Sequence, residues 1–264
     1  MMPALRLFAL VFALGCAATA AQAQGYSTAA RQVIERARAA SGGAGWYQIR
    51  GWHETAIQGG VRYETWIDPI RYGLRIESRG AAGLHVQGFN GAGEWRILPS
   101  GAATGAADAA TLAQVRNAAF FGGAFYFYPG RYDARGRYLK VAKIGDRAFD
   151  VLEVTPFGGS PRELWFDRRT RLLGRIVDRT GPWPVVVELS DYRRVGPVLV
   201  PFRKSIDDAE PAGSRDRVVE TLVFTTADRS IFSLPRPTNA AQDAQREAVS
   251  TTPAPPAKPV RRLD

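Results

Sequence analysis

The sequence predicts an α+β fold that is mainly β: a single curved antiparallel sheet, an open half-barrel of about 11–12 strands, with helices on its concave face. Three observations predict it. Apolar and polar residues alternate with a period of two through about a dozen consecutive short segments, each bounded by Gly, Pro, Asn or Asp. Two segments carry the i, i+3, i+4, i+7 spacing of an amphipathic helix. A twisted sheet of ten or more strands tends to curl, and short helices with one apolar face need such a surface to cover.

Ser27 or Thr28 can cap the first helix, whose apolar residues are Ala30, Val33, Ile34 and Ala37, and Ser41-Gly42-Gly43 ends it. From Trp46 the period becomes two, with Tyr47, Ile49, Gly51 and His53 alternating with Gln48, Arg50, Trp52 and Glu54. Gln58-Gly59-Gly60 reads as a hairpin turn, after which Val61, Tyr63, Thr65 and Ile67 share a face opposite Arg62, Glu64 and Trp66. Asp68-Pro69 turns the chain again, and Tyr72, Leu74 and Ile76 alternate with Arg71, Gly73, Arg75 and Glu77. Leu84 to Phe89 and Glu94 to Leu98 continue the meander around Asn90-Gly91.

The Gly/Ala-rich stretch from Ser100 to Asp108 reads as a loop, and Asp108 can cap a second helix with Leu112, Val115 and Ala119 on one side. That helix ends at Gly122-Gly123, beside the densest apolar cluster of the chain: Phe120, Phe121, Phe125, Tyr126, Phe127 and Tyr128. A second set of strands follows at 138–144, 149–155, 162–166, 172–178, 185–192, 198–206 and 217–225, with turns at Gly145-Asp146, Gly158-Gly159, Asp167 to Thr170, Gly181-Pro182 and Gly196-Pro197.

The termini bound the domain. Residues 1–23 have the layout of a cleaved secretory signal: Arg6, an apolar run from Leu7 to Leu14, and small residues up to Ala23. The alternative is a lipobox at Ala13-Leu14-Gly15-Cys16 that would lipidate Cys16, a pattern Leu14 fits poorly. No segment approaches the roughly 20 apolar residues of a membrane-spanning helix. The folded domain is expected over 24–238, and the Pro- and Ala-rich stretch 239–264 reads as a disordered tail. The net charge of +10 raises the question of anionic partners, but the basic residues are spread over many strands and no nucleic-acid-binding motif accompanies them. We therefore expect no nucleic-acid partner.

The search for chemistry returns little. Outside the leader there is no cysteine, and His53 and His85 are the only histidines, so a transition-metal site would need carboxylates almost alone. His53-Glu54 lacks the second histidine of a zinc-protease helix and lies in a strand pattern. A nucleophile elbow, a phosphate loop and a dinucleotide fingerprint are all absent. Asp178-Arg179-Thr180-Gly181 misses the pepsin-like Asp-Thr-Gly by the inserted Arg179. No catalytic residue, metal or cofactor is assigned. An acid–base pair drawn from Glu77, Glu94, Glu153 or Glu163 is the remaining route to a hydrolase, although such residues on alternating strands are usually solvated.

The order of these pieces resembles the LolA/LolB-like superfamily of bacterial lipoprotein carriers over most of 26–235. Tyr63-Glu64-Thr65-Trp66-Ile67-Asp68-Pro69-Ile70-Arg71-Tyr72-Gly73-Leu74-Arg75 looks like the family's strand, Pro turn, strand unit. Gly88 to Trp95 resembles its next hairpin, Leu164 to Leu173 the strand-turn-strand of its second half, and Ile231 to Pro235 its usual last strand. The resemblance implies an incomplete barrel closed by helices around an apolar cavity that receives acyl chains. It implies Tyr63, Ile67, Leu74, Ile76, Trp95, Phe125 and Phe127 as cavity candidates, the alternative being that they fill the core. The family's periplasmic carrier has Arg immediately before the turn proline, where this chain has Asp68, which puts lipoprotein shuttling itself in question. The expected function is a non-enzymatic periplasmic carrier or binding protein for an apolar or acylated ligand, in contact with other envelope proteins. The second expectation is an envelope interaction domain with a filled core.

Overall fold

The computed structural model describes residues 25–105, 108–207 and 216–235, so the expected leader at 1–23 and tail at 239–264 lie outside the described residues. Hairpin after hairpin builds one antiparallel sheet of thirteen strands. The first meander comprises β1 (Trp52–Gln58), β2 (Val61–Asp68), β3 (Gly73–Gly80), β4 (Gly83–Asn90), β5 (Glu94–Ile97) and β6 (Ala103–Gly105). The second comprises β7 (Ala134–Ile144), β8 (Arg147–Pro156), β9 (Arg162–Asp167), β10 (Leu173–Asp178), β11 (Val185–Val195), β12 (Val198–Asp207) and β13 (Arg217–Val223). Their order in space is β6-β5-β4-β3-β2-β1-β13-β12-β11-β10-β9-β8-β7. The last strand therefore pairs with the first, the two meanders join in the middle of the sheet, and β6 and β7 remain as open edges.

The count exceeds the expected 11–12 by β6, three exposed residues inside the stretch read as loop. Two of them, Ala103 and Gly105, are poor strand formers, and the segment is held by pairing with β5 rather than by its own pattern. Across β2 to β5 the period of two holds. Ile67, Leu74 and Phe89 sit opposite one another across β2, β3 and β4 and are buried beneath the helices. The next row, Trp66, Arg75, Gly88 and Trp95, faces the other way.

Helix α1 (Thr28–Ala40) buries Ala30, Val33, Ile34 and Ala37, the stripe the spacing predicts. Ser27 accepts a hydrogen bond on Oγ from the Ala30 amide at 3.3 Å. Replacing Ser27 with Ala leaves that amide without its cap and should cost about 1 kcal/mol, measured as a lowered urea midpoint with an unchanged slope. Helix α2 (Ala109–Gly122) starts the same way, with Asp108 Oδ1 accepting from the Thr111 amide at 2.8 Å.

Two segments differ from expectation. Gly43–Gln48 is a 3-10 turn, and the first strand begins only at Trp52. Gly42 and Gly43, at φ 133° and 58°, reverse the chain so that Trp46 turns inward and donates from Nε1 to Ser41 Oγ at 2.9 Å. The closing segment is also a 3-10 turn, Arg229–Phe232, instead of a last strand. Asp228 Oδ1 accepts from the Ser230 amide at 2.8 Å and so offers the backbone a local partner in place of a ladder. Phe232 then packs over Gly73 on the face away from the helices, where the ring leaves no room for a Cβ.

The two halves use the same turn at their strand–turn–strand units. Asp68 Oδ1 accepts from the amides of Ile70 and Arg71 at 2.7 and 3.0 Å, and Tyr72 follows at φ 62°. Asp167 Oδ1 accepts from the amides of Arg169 and Thr170 at 2.8 and 3.0 Å, and Arg171 follows at φ 65°. Burial pushes the Asp167 carboxyl up, but those amides and the Arg147 guanidinium outweigh it and hold the group below the usual carboxylate range. Asp68, the departure from the carrier's arginine, thus has a local structural task.

Candidate functional site

The helices do not fill the concave face evenly. Over the first meander the space is occupied by rings: Phe125 stacks on Tyr132 with centroids 4.3 Å apart, and Tyr72 meets Phe125 edge-on at 5.3 Å. Over the second meander a cleft remains. On the helix side it is walled by Ala37, Ser41, Trp46, Phe121, Gly122, Ala124, Tyr126 and Phe127. On the sheet side the wall is Leu173, Ile176, Val187, Leu189, Tyr192 and Val200, with Trp52 and Lys204 near the joint of the two meanders. Its cavity volume is about 130 Å3.

Local sequence explains why this space is left. The helix side contributes small residues at Ala37, Gly122 and Ala124, and Ala124 takes the left-handed region at φ 55°. The sheet side is shaped by Asp191, at φ 51°, in the middle of β11. An L-residue there turns the strand, so Leu189 and Tyr192 both line the cleft although three residues apart, where strict alternation would separate them.

Most polar atoms of the lining are already satisfied. Ser41 Oγ donates to the Ala37 carbonyl at 2.9 Å and receives the Trp46 indole. Tyr192 donates its hydroxyl to the Leu173 carbonyl at 2.6 Å, and burial raises its pKa well above the ordinary phenol value. Trp52 buries its indole Nε1 beside the Glu54 carboxylate, without a closely aligned hydrogen bond among the described residues.

Beside Trp52 lies a buried charge cluster. Glu54, on the same face of β1, takes two hydrogen bonds on Oε1 from Arg217, at 3.1 and 2.8 Å, while Arg217 also donates to Thr65 Oγ1 at 3.0 Å. Lys204 stands opposite Arg217 in the register of β12 and β13, with Nζ 3.8 Å from Glu54 Oε2. Burial pushes the Glu54 carboxyl up, but the charges of Lys204 and Arg217 and the hydrogen bonds from Arg217 and the Trp52 indole hold it below its ordinary value. Burial and the neighbouring Arg217 lower the Lys204 pKa, with Glu54 opposing them.

No family model matches the sequence, and no curated protein matches it. Solved structures do. A LolA superfamily protein from Nitrosomonas europaea aligns with a TM-score of 0.51 at 16% identity, covering 77% of this chain and 97% of that one. The chain has a LolA-like fold. A DUF1329 family protein from Desulfovibrio piger aligns with a TM-score of 0.51 at 12% identity, over 81% of this chain and 99% of that one.

On this LolA-like fold the seven residues picked from sequence separate. Phe127 lines the cleft. Ile67, Leu74 and Phe125 are buried in the core under α2 and the aromatic cluster, and Ile76 packs against them. Tyr63 is half-buried under the Arg217 guanidinium, 5.1 Å from its ring, and so adjoins the charge cluster. Trp95 is on the opposite face, where its Nε1 donates to the Phe232 carbonyl at 2.8 Å and its ring occupies the space a Cβ on Gly88 would need. That placement corrects its assignment to the cavity: the hairpin from Gly88 to Trp95 gives register, but sequence alone did not say which face the helices cover. Lys204 was readable, because alternation with Val198, Val200 and Phe202 puts this charged residue on the buried face, whereas alternation from Tyr47 and Ile49 sets Glu54 with Gln48 and Arg50. Leu189 and Tyr192 could not be paired from sequence, because nothing marks Asp191 as left-handed. Among the described residues no group of three or more His, Cys, Asp or Glu could hold a metal ion, and no helix is long and apolar enough to cross a membrane.

Proposed function

We propose that the chain is a periplasmic, non-catalytic carrier or binding protein for an apolar or acylated ligand, which it holds in the cleft between α2 and β10–β12. The observation that carries this reading is an aliphatic and aromatic cleft left open under the helices of a LolA-like sheet. Each ligand methylene buried there contributes about 0.8 kcal/mol. A cavity of about 150 Å3 accepts a benzene ring, so the cleft as it stands holds a short stretch of chain, and a longer one enters by displacing the segment from Phe121 to Phe127.

Trp46 and Trp52 in the lining supply the readout. Adding a 12-carbon acyl compound should change tryptophan fluorescence saturably, and Val187→Phe, which fills the slot from the sheet side, should weaken binding at least tenfold with the melting temperature within a few degrees of wild type. Absence of any saturable change, together with lipid-free protein in native mass spectra of periplasmic material, would overturn the reading. A second reading, an envelope interaction domain, is favoured by Phe157 and Trp183, 76% and 69% exposed on the β8–β9 and β10–β11 hairpins at one end of the sheet. It predicts that alanine at both positions abolishes co-purification with an envelope partner and leaves acyl binding intact.

A further inference from the structure

The polar end of the cleft is unbalanced in charge. Arg217 is engaged by Glu54 Oε1 and Thr65 Oγ1. Lys204 faces Glu54 Oε2 at 3.8 Å, outside hydrogen-bond reach. Two cations thus share one carboxylate, leaving one positive charge in excess within this cluster of described residues. The Lys204 side chain is 23% exposed, so this end of the cleft reaches solvent. Trp52 lines the same cleft, and its indole N–H is directed to the Glu54 carboxylate. A poorly compensated ammonium at the edge of an apolar cleft costs stability, and an anionic group beside it would relieve that cost.

We propose that the cleft is built for a long-chain carboxylic acid, its alkyl chain among Ile176, Val187, Leu189 and Tyr192 and its carboxylate on the Lys204 ammonium. The proposal rests on the cleft being a ligand site and adds the class of head group. An ester or amide head leaves the Lys204 charge poorly compensated, and the neighbouring Glu54 carboxylate disfavours a head with more than one negative charge. A charged hydrogen-bonded contact in such a site contributes enough to separate acid from ester by an order of magnitude.

The test uses the full chain, dodecanoic acid and methyl dodecanoate, at neutral pH and below their aggregation limits, with tryptophan fluorescence as the signal. The acid should bind at least tenfold more tightly than the ester. Lys204→Met should remove that preference and leave ester affinity within about twofold, whereas Lys204→Arg should retain it. Equal affinities for acid and ester in the wild type, or a preference that survives Lys204→Met, would overturn the head-group assignment while leaving the cleft as an acyl site. Failure of both compounds to bind would overturn the acyl reading as well. If Lys204→Met does not fold, the wild-type acid-to-ester ratio and its persistence in Lys204→Arg decide the matter.

Discussion

Truncating Phe125 to Ala should destabilise the protein by about 3–5 kcal/mol, read from urea denaturation of the purified variant. Phe125 is fully buried and lies where Tyr72, Phe120, Tyr128 and Tyr132 converge. Those rings belong to the turn before β3, α2 and the chain after it, so a void there cannot be closed by moving one side chain. The loss should exceed that of Phe127→Ala, because Phe127 already borders open space in the cleft. A cost below about 1 kcal/mol would mean that the aromatic cluster is not the joint between the helices and the first meander.

The second large effect is electrostatic. Glu54→Gln keeps the size of the side chain and an oxygen for Arg217, but it leaves Arg217 and Lys204 opposite each other without a counter-charge, and should cost about 3–5 kcal/mol. The sign with pH follows from the direction of the shift. Because the folded Glu54 carboxyl titrates below its unfolded value, its contribution is present above the ordinary carboxylate range near pH 4.3 and is lost as the pH falls through the folded value. Wild type should therefore lose more stability than Glu54→Gln between about pH 5 and pH 3, so the two urea midpoints converge on the acid side. Adding Lys204→Met to Glu54→Gln should recover part of the loss, since it removes one of the two facing cations. Midpoints that run parallel at all pH values would show that the cluster is solvated and contributes little.

The fold was legible because its signals are local and repeated. The stripe Ala30, Val33, Ile34, Ala37 and the row Ile67, Leu74, Phe89 each follow from period alone. The shared Asp turns at Asp68 and Asp167 were visible as turn chemistry, although their common left-handed residue, Tyr72 or Arg171, was not. Where the reading failed, a tertiary contact decided. Trp46 goes inward on a 3-10 turn because two glycines reverse the chain before it, and β6 exists because β5 offers an edge. The site was less legible than the fold for the same reason. Aromatic residues near one another in sequence, Phe125 and Phe127, separate into core and lining, and Trp95 lands on the far side, because the sheet face covered by helices is a property of the whole topology. Lys204, a charged residue at buried parity with Val198, Val200 and Phe202, was the better signal and concerns the polar end of the cleft.

An open sheet carries a hazard that a closed barrel avoids: unpaired backbone at its rims invites another chain to add itself. The short rim at β6 offers three residues. The long rim at β7 is guarded differently along its length. Its beginning is covered by the chain's own entry segment, with the Ser27 amide donating to the Gly136 carbonyl at 2.8 Å and the Gly136 amide to Gly25 at 3.2 Å. Beyond that, pairing with β8 skips a residue between Tyr138 and Lys140, which kinks the rim, and Lys140 and Lys143 stand exposed. Two copies laid rim to rim would set these lysines against each other, so part of the chain's basic excess works against self-association and lets the sheet stay unclosed.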